Sequence, residues 1–112
     1  MFQRSERISV LIKEEIAAML LFGGLKDPRV QGARITEVKV TKDLTKATIF
    51  VTSDNEIAKE EVIIGFMNAS GFIKKELSGK LYIRKMPNLF FVYDDSQESI
   101  NKIEEILKSL HD

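Results

Sequence analysis

Apolar residues Ile8, Leu11, Ile12, Ile16, Met19 and Leu20 recur at three- and four-residue spacing. The segment from about Ser5 to Phe22 is therefore predicted as a helix with one apolar stripe. Gly23-Gly24 ends it, because glycine accepts the left-handed backbone found at helix C-termini. In Leu25-Lys26-Asp27-Pro28-Arg29-Val30 the proline keeps Asp27 out of the helical region, so a loop with a forced turn follows. Thr36, Val38 and Val40 then alternate with Glu37 and Lys39, predicting a strand from Arg34 to Thr41. Ala47 to Thr52 is rich in β-branched residues and reads as a second strand. Only Lys42-Asp43-Leu44-Thr45-Lys46 separates the two, which predicts an antiparallel hairpin.

Ser53-Asp54-Asn55-Glu56 has the form of a capping box and is expected to open a helix whose buried stripe is Val62, Ile63, Phe66 and Met67. Asn68-Ala69-Ser70-Gly71 interrupts that stripe, which resumes at Phe72, Ile73, Leu77 and Leu81. Glycine inside a helix costs about 1 kcal/mol relative to alanine, and Ser and Asn compete for backbone hydrogen bonds, so a break or kink is predicted here. Leu89-Phe90-Phe91-Val92-Tyr93 reads as a short strand, apolar on both faces and hence central or well covered. Asp95-Ser96-Gln97-Glu98 opens a last helix, with Asp95 as its cap. Ile100, Ile103, Leu107 and Leu110 form one stripe on it that is expected to dock on the core. The order helix, strand, strand, helix, helix, strand, helix gives an α+β fold, a three-stranded sheet with helices packed on it. No repeat, low-complexity stretch or linker interrupts the chain, so one domain over residues 1–112 is expected.

Composition narrows the function by exclusion. With 44% hydrophobic and 30% charged residues over 112 positions, the chain has the make-up of a soluble globular protein. The absence of cysteine excludes disulfides, thiolate metal sites and a cysteine nucleophile. The one histidine, His111, sits next to the C-terminus, a poor place for a base, and Ser5, Ser9 and Ser53 have none to activate them. Asp94-Asp95 and Asp27 read as structural carboxylates rather than metal ligands, and Gly23-Gly24 lacks the strand and Lys-Ser of a phosphate loop. No enzyme is indicated. No apolar run approaches the roughly 20 residues of a membrane span, and Met1-Phe2-Gln3-Arg4 does not read as a secretory signal, which makes the cytoplasm the default address.

The formal net charge is zero, but its distribution is not even. Residues 1–53 carry nine basic and six acidic groups, and residues 54–73 one and four. Residues 74–85 carry five and one, and residues 86–112 two and six. A partner meets the local field, since charges are screened beyond about 8 Å at physiological salt. The basic twelve residues therefore offer a phosphate-facing surface. Small residues at the expected break, Ser70 and Gly71, would let a sugar-phosphate chain come close, with Lys74 and Lys75 following and Lys80, Arg84 and Lys85 extending the strip. The residues alone leave open a plainer reading, in which two kinked core helices merely turn their lysines to water.

The chain also resembles the bacterial ribosome-binding factor A family. The residues that carry the resemblance are Arg7-Ile8 and Lys13-Glu14-Glu15-Ile16-Ala17, then Lys26-Asp27-Pro28-Arg29-Val30, Asp43-Leu44 and Ala47. Further on come Ala69-Ser70-Gly71-Phe72-Ile73, Arg84, Pro87-x-Leu89-x-Phe91 and Tyr93-Asp94-Asp95-Ser96. The resemblance implies a K-homology-like domain of the second topological type, with two middle helices joined at Ala69-Ser70-Gly71. It departs from ordinary K-homology domains by lacking a full Gly-x-x-G loop, so RNA is expected across the basic helix surface. It also implies a non-enzymatic assembly factor that binds the free small (30S) subunit and its 16S ribosomal RNA. Such a factor assists late maturation and 5′-end processing, above all in the cold. Ser70, Gly71, Lys74, Lys75, Lys80, Arg84 and Lys85 are the foremost RNA-binding candidates, with Arg4, Arg7, Lys39 and Lys46 behind them. A monomer without cofactor, metal, membrane or small-molecule substrate is expected. The alternative is a protein-interaction module of similar α+β fold whose basic strip meets an acidic partner.

Overall fold

The computed structural model describes residues 3–54 and 56–111. The first helix, α1, spans Arg4–Leu21 and buries Ile8, Ile12 and Ile16. It stops where expected: Gly23 takes φ 78° and the Gly24 N–H donates to the Met19 carbonyl at 2.8 Å. The Asp-Pro-Arg turn tightens into one 3₁₀ turn at Pro28–Val30. Asp27 Oδ1 accepts from the Arg29 N–H at 2.9 Å, and the Arg29 guanidinium returns to both Asp27 oxygens, Nε at 3.1 Å and Nη2 at 2.8 Å. Those bonds hold the Asp27 carboxyl below the usual carboxylate range. Asp27 is thus a turn former, as its place before proline predicts.

Strands β1 (Ala33–Val40) and β2 (Lys46–Ser53) form the antiparallel hairpin, and β3 (Asn88–Tyr93) pairs in parallel with β2, giving the order β1-β2-β3. The expected α+β fold is therefore present, a three-stranded mixed sheet with helices packed on it, but with one middle helix in place of the two expected of a K-homology-like domain. β3 is an edge strand, however, not the central one that its apolar sequence suggested. One face is packed on the core through Leu89, Phe91 and Tyr93, while Phe90 and Val92 remain 48% and 42% exposed on the other. In β1 a bulge between Ile35 and Glu37 breaks strict alternation, so Ile35 and Val38 are the residues buried and Thr36 is released from the expected row.

Two further expectations fail in the middle of the chain. Ser53 does not cap a helix: it ends β2, where its N–H donates to the Tyr93 hydroxyl at 3.2 Å. Helix α2 starts only at Lys59, after Ala58, and Asn55 of the supposed capping box lies outside the described residues. The predicted break is also absent, because α2 runs unbroken over Lys59–Ser78. Val62, Phe66, Ile73 and Leu77 are all fully buried and stay in phase across Gly71. Burying each such side chain contributes about 1.5–3 kcal/mol, which outweighs the roughly 1 kcal/mol that one glycine costs.

The two central glycines of α2 should consequently respond in opposite ways to alanine. A Cβ at Gly65 would sit 2.9 Å from Val30 Cγ1 and 3.0 Å from Arg29 Cβ, whereas one at Gly71 meets nothing within 4 Å. Gly65→Ala is expected to destabilise by about 1–3 kcal/mol through overpacking. Gly71→Ala is expected to stabilise by about 1 kcal/mol by relieving the helix of a flexible residue. Denaturant unfolding of the two variants checks both signs.

Helix α3 covers Ser96–His111, and its apolar stripe does not dock on the core. Ile100, Ile103, Leu107 and Leu110 are all exposed, Leu110 by 75%, and none joins the core cluster. The inner face of the sheet is already filled by α1 and α2. Asp94 and Asp95 hold the start of α3 at the end of β3, so the stripe has no core position left to occupy. Asp95 is not the expected cap either: it pairs with Lys59 at 2.7 Å, while Asp94 Oδ1 accepts from the Ser96 N–H at 2.9 Å.

Candidate nucleic-acid interface

The expected continuous basic strip is divided by the fold among several places. On α2, Ser70 with Lys74 and Gly71 with Lys75 form two neighbouring rows at four-residue spacing. Ser70 and Lys74 are half-buried, and Gly71 and Lys75 are exposed. The two lysines thus share one side of an unbroken helix rather than flanking a bend, and α2 offers no free amides between them. The geometry that sequence reasoning placed at residues 68–71 is absent, although the side-chain cluster survives.

Lys80 belongs to neither row. Its ammonium lies 3.1 Å from Glu15 on α1, which makes it a tie between segments. Arg7 shares a shallow depression on α1 with Glu6, Val10, Leu11 and Glu14, where two carboxylates oppose a phosphate. Lys39 stands over the Phe50 ring at 5.5 Å on the open face of the sheet.

Arg84 and Lys85 meet Arg4 in a different setting. They line a hollow of about 240 Å³ together with Asp43, Leu44, Thr45, Ile83, Met86 and Asn88. Its walls are the hairpin turn, the segment leading into β3, and the first residue of α1. The turn is rigid for local reasons. Asp43 Oδ1 accepts from the Thr41 hydroxyl at 2.7 Å, the Thr45 hydroxyl at 2.7 Å and the Thr45 N–H at 3.1 Å. Leu44 is held at φ 61°, a left-handed conformation that a leucine keeps only when its surroundings enforce it. The Asn88 N–H donates to the Thr45 carbonyl at 2.9 Å and joins the second wall to the first. Lys46, next in the chain and opposite Asn88 in the sheet register, stands beside this hollow.

The hollow gathers positive charge in one concavity. Arg29, Arg34, Lys59 and Lys80 each have a carboxylate within 4.0 Å. Among the described residues, no carboxylate lies that close to Arg4, Arg84 or Lys85. Asp43 is the one acid in the lining, and the hydroxyls of Thr41 and then Thr45 keep it ionised by holding its carboxyl below the usual range. Three cations against one carboxylate leave the hollow positive by two charges, in a concavity that focuses field lines.

Tyr82, which sequence reasoning passed over, borders this place. It directly precedes the lining residue Ile83 and is 100% exposed. The available signal was a lone aromatic residue inside the most basic twelve positions of the chain.

The carboxylate pair Asp94-Asp95 is structural, as its adjacency suggested. Asp94 Oδ2 accepts from the Thr36 hydroxyl at 2.6 Å, and its other oxygen from the Ser96 hydroxyl and N–H. The Ser96 and then the Thr36 hydroxyl pull its carboxyl down to about 2. A depressed carboxyl stabilises the fold above its unfolded value and loses that contribution as pH falls towards the folded one. Asp94→Leu should therefore lower the denaturation midpoint at pH 7, and the gap to the parent should close between about pH 4 and pH 2. Urea unfolding at several pH values checks this. Among the described residues no group of three His, Cys, Asp or Glu side chains is placed to hold a metal, and no helix is long and apolar enough to cross a membrane.

Known proteins agree with this fold and chain length. The family description of ribosome-binding factor A matches residues 4–107. The ribosome-binding factor A of Geobacter metallireducens is 40% identical over 111 residues, covering 98% of this chain and 93% of that one. That of Dictyoglomus thermophilum is 46% identical over 112 residues, covering 98% and 92%. Among solved structures, the crystal structure of ribosome-binding factor A from Thermus thermophilus superposes with TM-score 0.71 at 20% identity, covering 80% of this chain and 93% of that chain. A homology model of the Thermus thermophilus factor, fitted into a cryo-EM map of its complex with 30S, superposes with TM-score 0.64 at 21% identity, covering 78% and 91%. Identities this low show the fold alone, but the near full-length matches at 40% and above go further. With α1, the Asp-Pro-Arg turn, the hairpin and β3 all inside the matched residues, the chain belongs to the ribosome-binding factor A family.

Proposed function

We propose that this chain is a single RNA-binding domain that attaches to the free small ribosomal subunit through 16S ribosomal RNA. There it assists late maturation and 5′-end processing, with its greatest importance in the cold, and it cuts no RNA itself. It acts in the cytoplasm as a monomer. Family membership supports the ribosomal setting, and the 30S complex of the Thermus thermophilus factor supports the small subunit as partner. The observation that carries the RNA reading is the hollow in which Arg4, Arg84 and Lys85 stand without carboxylate partners among the described residues. Lys74 and Lys75 add a second cationic surface on α2. Ionic bonds to phosphate dominate affinity for nucleic acid and make it salt-dependent.

Sedimentation of the purified protein with free small subunits and with joined ribosomes tests the proposal. It should travel with the first and not with the second. Lys74→Glu/Lys75→Glu should bind the small subunit more weakly and flatten the log–log salt slope by about 0.7 for each phosphate that the pair neutralises in the parent. Failure to travel with free subunits even at low salt overturns the reading, and unchanged binding of the folded double variant removes α2 from the RNA-facing surface.

A further inference from the structure

We propose that Tyr82 and the adjoining hollow form a subsite for one unpaired RNA nucleotide, with its phosphate between Arg4, Arg84 and Lys85 and its base stacked on the tyrosine ring. This rests on the RNA-binding reading above and specifies the form of RNA that the site takes.

Tyrosine is an amphipathic residue whose ring usually gains from burial. Tyr82 buries nothing, and it neither donates to nor accepts from any described group. It stands immediately before Ile83, the first of four consecutive lining residues that end at Met86. Adjacent Cα atoms are about 3.8 Å apart, so the ring is rooted at the rim of the cationic hollow. The volume of about 240 Å³ equals that of roughly eight waters at about 30 Å³ each, enough for a phosphate and part of its ribose.

The combination of a free aromatic face with neighbouring cations is what proteins use to hold single strands: the cations track the backbone, and the ring accepts whichever base is splayed out. A nucleotide paired in the interior of a duplex cannot use such a ring, because both faces of its base are already stacked within the helix. Discrimination between paired and unpaired RNA therefore belongs to Tyr82, while the hollow supplies attraction that both forms share. The rigid hairpin turn, fixed by Asp43 and by Leu44 at φ 61°, keeps one wall in place before any ligand arrives.

The test uses the full chain with two probes, an oligouridylate of about eight nucleotides and a blunt RNA duplex, titrated over a range of salt. Tyr82→Ala should weaken oligouridylate binding about tenfold and leave the duplex unchanged, while Tyr82→Phe should bind as the parent does. Arg84→Gln/Lys85→Gln should weaken both probes and flatten the salt slope by about 0.7 per phosphate for the single strand. All these residues are exposed, so circular dichroism of the variants should match the parent. The subsite is overturned if Tyr82→Ala binds oligouridylate normally, or if it loses affinity equally for the duplex. It is also overturned if the parent sediments with small subunits but does not bind oligouridylate, and in that case the proposed function stands. A parent chain that binds neither overturns both.

Discussion

Phe66→Ala is expected to lower stability by about 3–5 kcal/mol, the largest effect of any single truncation in this fold. Phe66 is fully buried, and its ring stacks on Phe91 of β3 with centroids 5.3 Å apart and planes inclined by 19°. Removing it opens a cavity beneath the middle of α2 and deletes the stacking that seats this helix on the edge strand. Domains of this size have a total stability of only about 5–15 kcal/mol, so the loss is a large share of the whole. At about 4–8 °C per kcal/mol, the melting midpoint should drop by roughly 12 °C or more. Phe90→Ala, the same truncation one residue away on the open face of the sheet, should cost under about 1 kcal/mol. Thermal and denaturant unfolding of both variants would decide the matter, and equal losses would mean that the two faces of β3 had been assigned wrongly. The stability of α2 also bears on function, because Lys74 and Lys75 ride on it.

Much of this architecture is legible in the sequence because local signals and burial agree. The four-residue spacing of Ile8, Ile12 and Ile16 marks α1, and Gly23 ends it through a backbone conformation that the sequence names directly. The hairpin follows from β-branched runs separated by a short polar turn. Errors arise where a local signal is outvoted by distant residues. Ser53 has the look of a cap, but Tyr93, 40 residues away, supplies its hydroxyl to that backbone instead. Gly71 has the look of a break, but four buried side chains in phase on either side keep α2 whole. Thr36 fits an alternating strand, yet a bulge and Asp94, 58 residues later, take its hydroxyl. Sheet order is not encoded in the composition of one strand, which is why β3 reads as central and is an edge. The stripe of α3 shows the limit of periodicity: it identifies an amphipathic helix without saying whether the apolar side has anything to cover.

The candidate interface follows the same division. Composition alone identifies the basic segment between Lys74 and Lys85. Only the fold separates its members, giving Lys80 to Glu15, keeping Lys74 and Lys75 on α2, and sending Arg84 and Lys85 across to Arg4 from the other end of the chain. No pattern in the sequence places Arg4 within reach of Arg84, because their proximity depends on how α1 and the segment leading into β3 meet.

That proximity makes charge reversal in the hollow the strongest expected perturbation of binding. Arg84→Glu/Lys85→Glu changes the lining from two net positive charges to two net negative ones, where three cations stand together without carboxylate partners among the described residues. Each charge-assisted hydrogen bond to a phosphate is worth about 1.5–3 kcal/mol, so losing two should weaken small-subunit binding at least about 100-fold. The salt slope should flatten by about 0.7 for every phosphate no longer neutralised. Total charge changes as well, and the control must match it. Lys102→Glu/Lys108→Glu alters net charge by the same amount on exposed positions of α3. Because charges more than about 8 Å apart are largely screened at physiological salt, the α3 variant should bind within a fewfold of the parent. Equal losses in the two variants would mean that the RNA senses the whole molecule rather than the hollow. A large loss confined to Arg84→Glu/Lys85→Glu is the outcome that the geometry requires, since there the hairpin turn, the entry to β3 and the start of α1 bring unpaired cations to one concave wall.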